Sequence, residues 1–338
     1  GNNWLLCPSG SSDELQDIYF VNENTGIVSG YYDGTVLRST NGGINWVNIN
    51  NYYGSKLMPI RFINENTGWI GGGNSYGQAV LLKTTNSGIS WNYSTPTGFT
   101  LNSICFVNES FGWLAGSSST VLKTSNGGLN WFTQNANAYH FGVNFSDIFT
   151  GWLVGWYGDL LKTTDGGGNW LRQDITVTST NLNSVYFVDY NTGWTTGSGG
   201  IILKTTTGGN QWTLQNSGTN LQLKRILFFN EGIGWCVGSS GIILKTSNGG
   251  LNWIIQQEGR PYLLEDIEII NSDTCFVSGD SCKVLKTTNG GLSWFETLIL
   301  NQEEKIFTLN FVNDMTGFAG GRLGHIYKTT NCGINWNP

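Results

Sequence analysis

The string TSNGGLNW stands at residues 124–131 and again, letter for letter, at 246–253. Six relatives accompany it: STNGGINW (39–46), TTNSGISW (84–91), TTDGGGNW (163–170), TTTGGNQW (205–212), TTNGGLSW (287–294) and TTNCGINW (329–336). Their closing tryptophans are Trp46, Trp91, Trp131, Trp170, Trp212, Trp253, Trp294 and Trp336, separated by 45, 40, 39, 42, 41, 41 and 42 residues. A period of about 41 residues, kept along the chain, marks stacked units that bury their apolar surface only against each other.

Each period carries more than this box. About 25 residues before the Trp comes a phrase such as IYFVNENTG (18–26), IRFINENTG (60–68), ICFVNESFG (104–112) or VYFVDYNTG (185–193), followed by GW-x-x-G as at Gly68-Trp69 and Gly193-Trp194. A short apolar run, TVLRST (35–40) or IILKTT (201–206), leads into the box, and a polar–apolar run follows it. Every piece is short, alternating or β-branched, and bounded by Gly or Asn, which reads as four strands, a to d, with no helix of useful length. The expected fold is all-β: an eight-bladed β-propeller of four-stranded antiparallel blades, 1–338 forming one domain, with seven blades as the alternative.

GNNWLL (1–6) resembles GINWVN (43–48), a strand d without its own a, b and c. It is expected to complete the last blade and close the ring, covering edges that an open array would leave unpaired. Trp336 competes with Trp4 for the same place. Cys7 lies in that strand and Cys332 in the last box, so closure predicts a Cys7–Cys332 disulfide. Cys105 and Cys236 occupy core-type positions; Cys275 and Cys282 flank one b–c hairpin without facing each other.

The box has a mechanical reading. Asn-Gly and Gly-Gly permit the positive φ of a tight c–d hairpin, the Asn or Asp side chain bonds backbone N–H groups within it, and the Trp wedges against sheet. The cation before each box (Arg38, Lys83, Lys123, Lys162, Lys204, Lys245, Lys286, Lys328) lays its stem along the blade, with its charge in solvent or on a carbonyl.

Composition excludes several classes. A formal charge of −6 argues against nucleic acid. No apolar run of 18 residues exists, so an integral membrane protein is not expected. With two histidines and no C-x-x-C pair, no metal and no cofactor are expected. Polarity comes from Asn, Ser, Thr and Gly rather than from Lys and Glu, which suits a secreted or cell-surface protein, and a start at Gly1 fits a removed signal peptide as well as a trimmed chain. Asn92, Asn108 and Asn144 head N-x-S sequons, relevant only in a eukaryotic secretory setting.

Function should sit where the repeat varies. The a–b and c–d turns are nearly uniform. The b–c tips YYDG (31–34), GNSYGQA (73–79), WYGD (156–159) and RLGH (322–325), and the d–a loops NNYYGSK (50–56), ANAYH (136–140) and EGRPY (258–262), are not. The candidate binding residues are therefore Tyr31, Tyr32, Tyr52, Tyr53, Tyr76, Tyr139, Trp156, Tyr157, Arg260, Tyr262, Arg322 and His325. Such aromatics with neighbouring polar groups serve protein hot spots, sugar rings, or merely the gaps under loops. The expected partner is a protein, in an assembly or scaffold role, with a surface polysaccharide as the alternative. Asp17, Glu265 and Asp266 on strand a are the carboxylates a glycosidase would need, but no catalytic residue is assigned.

The T-x-N/D-x-G-x-x-W boxes resemble the Asp-box, or bacterial neuraminidase repeat. The F-V-N-x-x-T-G-W…L-K-T-T-N-G-G-x-x-W period looks most like propellers related to the photosystem II assembly/stability factor. The resemblance covers the whole chain and implies the propeller fold; its shared residues are those that build blades. Sialidases of this kind use an arginine trio. Here Arg61, Arg172, Arg225, Arg260 and Arg322 remain apart from the pre-box cations, and Gly259-Arg260-Pro261 lacks the intervening residue of the sialidase Arg-x-Pro signature. Xyloglucan-cleaving relatives use two facing propellers, and the photosystem factor a basic patch; this acidic chain has one propeller and no equivalent Arg cluster.

Overall fold

The structure, a computed structural model, describes residues 4–52, 54–136, 140–175, 180–281, 283–298 and 305–333. Among them are eight four-stranded antiparallel sheets, each with its strands in the order a-b-c-d, and the fold is an eight-bladed β-propeller. Blade 1 runs Leu15–Phe20, Gly26–Gly30, Thr35–Ser39 and Val47–Asn51. Blades 2 to 7 follow at 55–94, 101–133, 140–172, 182–215, 223–257 and 264–298. Blade 8 takes Ile306–Phe311, Gly317–Gly321 and Ile326–Thr329 from the C-terminal end and Leu5–Cys7 from the N-terminal end, paired Leu5 with Lys328 and Cys7 with Ile326. Closure by the N-terminal strand is as the sequence predicts. Two compact units are distinguished, Gly1–Thr95 with Leu264–Pro338, and Pro96–Leu263. The first holds blades 1, 2, 7 and 8, and the second blades 3 to 6.

Within each unit, aromatic sandwiches join consecutive blades. In the second unit the strand-a Phe of one blade lies flat on the strand-b Trp of the blade before it: Phe145 on Trp113 at 3.5 Å, Phe187 on Trp152 at 3.7 Å and Phe228 on Trp194 at 3.5 Å between centroids. The box Trp of the same blade then meets that Phe edge-on, as Trp170, Trp212 and Trp253 do at 5.8–5.9 Å. Trp113, Trp152 and Trp194 are fully buried. Each such indole removes roughly 200 Å² from water, on the order of 4–5 kcal/mol before entropy is charged. The glycine that opens strand b makes the sandwich possible: a Cβ on Gly151 would stand 2.5 Å from the Phe145 ring.

The first unit repeats the pattern with Phe20 on Phe318 at 3.8 Å and Trp46 edge-on to Phe20 at 5.8 Å. In blade 8 the edge-on partner of Phe311 is Trp4, at 6.2 Å and 85°, with its indole N–H donating to Thr297 Oγ1 at 3.2 Å. Trp4 thus fills the box-Trp role of the last blade; Trp336 lies outside the described residues.

The expected Cys7–Cys332 disulfide is not formed: both are buried free thiols. Cys7 packs with Leu15, Phe318 and Ile326 in the layer between blades 8 and 1, whereas Cys332 packs with Trp4, Phe276 and Tyr327 in the layer between blades 7 and 8. The eighth sheet separates them, because closure sets Cys7 in a strand whose side chains alternate and Cys332 in a turn folded over the opposite layer. Cys105, Cys236 and Cys275 likewise form no disulfide, and Cys236 and Cys275 are wholly buried; Cys282 lies outside the described residues.

Candidate functional site

At one end of every sheet the c–d box is fixed by its own side chains. In blade 3, Thr124 Oγ1 donates to Asn126 Oδ1 at 3.0 Å and accepts from Gly128 N at 2.8 Å, while Asn126 Oδ1 accepts from Asn130 N at 3.0 Å. Gly127 N reaches Ser110 O in the a–b turn at 2.8 Å, so both turns of the blade form one block. Gly127 and Gly128 have φ of 64° and 80°, the left-handed region the sequence called for. In the last box Cys332 takes that conformation at φ 52°.

The pre-box cations lie over a ring of their own blade or reach the box of the next. The ammonium groups of Lys123, Lys204 and Lys245 stand 5.6, 5.3 and 4.9 Å from the rings of Trp113, Trp194 and Trp235. Lys328 reaches the carbonyl of Gly42 in the box of the next blade at 2.5 Å, Arg38 that of Ser87 at 2.8 Å, and Lys286 that of Cys332. Burial pulls the ammonium groups of Lys83, Lys162 and Lys204 below the ordinary lysine value.

The strand-a carboxylates are committed in the same way. Asp17 Oδ2 accepts from Ile60 N of blade 2 at 2.8 Å, and its Oδ1 from Ile18 N at 2.9 Å and Thr308 Oγ1 at 3.3 Å. Asp266 likewise takes Ile267 N at 2.8 Å and Leu309 N of blade 8 at 2.9 Å. Each sits at a bulge in strand a, which frees its own N–H groups and the side chain to clasp the next blade. Ser103 does the same for Val143 N at 3.3 Å. Glu265 is held by Lys305 at 2.5 Å, which also meets Asp280 at 3.1 Å.

At the other end the tips differ from blade to blade. In the first unit, buried Asp13 accepts from the N–H groups of Tyr32, Asp33 and Thr35 at 2.7, 3.1 and 3.3 Å and so fixes the YYDG tip. Tyr31 and Tyr32 meet edge-on at 5.1 Å, with the Lys56 ammonium 5.0 Å from the Tyr31 ring. Tyr76 is 85% exposed on a tip that Asn74 organises by accepting from Tyr76 N and Gln78 N, each at 3.0 Å. Tyr52 stacks on Tyr93 at 5.6 Å. On blade 8, Arg322 pairs with Glu14 at 2.8 Å, and His325 is half-buried, edge-on to Tyr327 at 6.1 Å.

In the second unit Trp156 and Tyr157 form the tip of blade 4, edge-on at 6.0 Å. Tyr157 borders a cleft lined by Gly158, Arg172, Gln173, Asp174 and Ile175. Arg172, on strand d, pairs with the buried Asp159. Arg260 is exposed, but Tyr262 is buried: its N–H donates to Arg260 O at 2.8 Å, its carbonyl accepts from Gly241 N at 2.7 Å, and its hydroxyl accepts from Gln257 Nε2 at 3.1 Å. Tyr262 therefore fills the space under its loop.

Of the twelve candidates, Tyr31 and Tyr32 are brought together, as are Trp156 and Tyr157, while Tyr53 and Tyr139 lie outside the described residues. Asp13, Glu14, Lys56 and the Arg172–Asp159 pair were not singled out by sequence reasoning. The last pair has a sequence signal, since Arg172 stands two residues beyond a box Trp and faces Leu161, two residues beyond Asp159, across the c–d register.

The family model for the photosynthesis system II assembly factor YCF48 matches at residues 92–174, 133–222 and 174–263, together just over half of the chain. No curated protein sequence matches. Among solved structures, one described as YCF48 bound to D1 peptide is 15% identical, with 98% of each chain covered and a TM-score of 0.61. YCF48 from Cyanidioschyzon merolae is 17% identical over 97% of this chain and 98% of its own, with a TM-score of 0.60. Sqt1 of Saccharomyces cerevisiae is 10% identical over 98% and 99%, with a TM-score of 0.76. These likenesses are of fold.

Proposed function

The chain belongs to the photosynthesis system II assembly factor YCF48 family, and from that premise we propose that it is a non-catalytic protein-interaction propeller that receives its partner on the variable tips. The observation that carries this reading is the contrast within each blade. The carboxylates suited to hydrolysis, Asp17, Asp266 and Glu265, are engaged in holding blades together. The tips instead offer rigidly mounted aromatics, with Tyr32, Tyr76 and Tyr157 respectively 59%, 85% and 65% exposed. Exposed Tyr and Trp on fixed turns are the groups from which protein hot spots are built, because little side-chain freedom is lost on binding. One structural relative is described with the D1 peptide bound, and a peptide segment of a larger protein is the corresponding partner here. A secreted or cell-surface setting, which rests on the composition, remains part of the proposal.

The test is recovery of a partner by the full chain from its native source, compared between two variants. Tyr32→Ala with Trp156→Ala should lose the partner, whereas Ile44→Ala with Leu129→Ala, at the box end, should keep it. Equal recovery by both would remove the tips from the interaction.

A further inference from the structure

The apex of the b–c turn places its first residue in the left-handed region in blades 3 to 6: Ser118 at φ 51°, Tyr157 at 53°, Gly199 at 68° and Ser240 at 55°. A residue with a Cβ is disfavoured there, and a bulky ring more than a serine. Three of the four blades use Ser or Gly; blade 4 uses Tyr157, and leaves its ring 65% exposed beside Trp156 at 41%. The fold gains little burial in return for that backbone cost. Side chains held at such backbone angles cluster at functional sites, and here the ring also lines a cleft.

The surroundings say what would bind. Arg172 is held by Asp159, so the exposed carboxylate of Asp174 sets the sign of the cleft. Gln173 directs its amide N–H to Leu171 O at 2.9 Å, which leaves its oxygen as an acceptor. The cleft thus offers acceptors, one excess negative charge and the Tyr157 ring, with the Trp156 ring edge-on beside that tyrosine at 6.0 Å, on a chain with a formal charge of −6. Ring faces and a carboxylate together favour a cation, and the net charge steers one inward.

We propose that this cleft takes an Arg or Lys side chain of the protein partner. The proposal rests on the protein-interaction reading and names the chemistry of its recognition element. It is tested on the full chain with the peptide acetyl-Gly-Arg-Gly-amide, its neutral citrulline counterpart, and cellohexaose, following the Trp156 indole and Tyr157 ring resonances. The arginine peptide should move both signals, Asp174→Asn should weaken its binding about tenfold at low salt, and Tyr157→Gly should abolish it. Tyr157→Gly should also raise the melting midpoint by about 1–2 °C, since glycine fits the apex; a tyrosine retained for packing would lower it. Equal binding of the citrulline peptide, binding of cellohexaose in its place, or a lowered midpoint overturns the assignment. If partner recovery depends on the tips while the arginine peptide leaves Trp156 and Tyr157 unmoved, the cleft assignment falls and the interaction reading stands. If the wild-type chain recovers no partner, both fall.

Discussion

The two ends of each blade solve the same problem, a tight turn between antiparallel strands, with opposite economies. At the box end, Thr124, Asn126 and Gly127–Gly128 close a hydrogen-bonded knot that has the same geometry around Thr84, Thr246 and Thr287. At the b–c end the apex backbone also recurs, but its residues run from Ser118 to Tyr157 to Leu323. Repetition at one end leaves the other free to vary, because the knot, the sandwiches and the strand-a clasps already define the sheet. Stability is thereby concentrated away from the tips proposed for recognition, and substitutions at the two ends should have separable effects.

The largest loss should come from the corner that joins the chain's ends. Trp4→Ala removes an indole that is 2% exposed, touches Phe276 and Phe311, and anchors the closing strand. Urea unfolding should show a loss of about 3–5 kcal/mol. The paired change at a tip, Trp156→Ala, should cost under about 0.5 kcal/mol, as exposed substitutions do. Similar losses at both positions would end the separation. Next in size is Thr124→Val, nearly isosteric, which leaves Gly128 N without its partner beneath a fully buried side chain; about 1–3 kcal/mol should be lost.

How far these ends were legible in the sequence follows from the same separation. The box, its period and strand closure through Trp4 could be read because eight copies repeat one local requirement, and glycine, asparagine and tryptophan each have a stated role in it. The second aromatic series, Trp69 to Trp235, was visible as GW-x-x-G, but the flat stacking of Trp113, Trp152 and Trp194 on the strand-a Phe of the following blade is a contact across the repeat. The disulfide expectation failed for a related reason: pairing brings Cys7 to the eighth blade but does not say which layer its side chain enters. At the tips, aromatic content drew several loops together as candidates, yet Tyr262 is buried and Tyr157 exposed, and only the backbone path separates them. Asp17 and Asp266 read as candidate acids because a clasp and a catalytic carboxylate share one residue type; the bulge that commits them is a feature of register.

A smaller effect, of opposite sign, is expected at the blade 8 apex. Leu323 has φ 57° and is 59% exposed, so Leu323→Gly relieves backbone strain without opening a cavity. Stability should rise by roughly 0.5–1 kcal/mol. A fall would mean that the leucine is packed, and that tips carry part of the fold's stability after all.

The smallest effect tests whether one box differs electrostatically from its siblings. Asp165 stands where most boxes carry Asn, and the N–H of Asn169 donates to Oδ1 at 2.9 Å, with Asn169 Nδ2 on Oδ2 at 2.7 Å and Thr163 Oγ1 on Oδ1 at 2.8 Å. These donors, the Asn169 backbone foremost, bring its carboxyl down from 3.8 to about 2. A depressed folded-state value means that the charged form is the one the turn favours. That contribution is complete above the unfolded value near 4 and is lost as pH falls through about 2. The site is largely exposed, so solvent screens much of it. Asp165→Asn keeps the oxygen that accepts from Asn169 N, as the other boxes do, and should leave stability at pH 7 almost unchanged. The acid limb between about pH 4 and pH 2 should become shallower in thermal unfolding, because one group that must take up a proton has been removed. An unchanged acid limb would mean that Asp165 serves the turn only through geometry, like the asparagines beside it in the other blades.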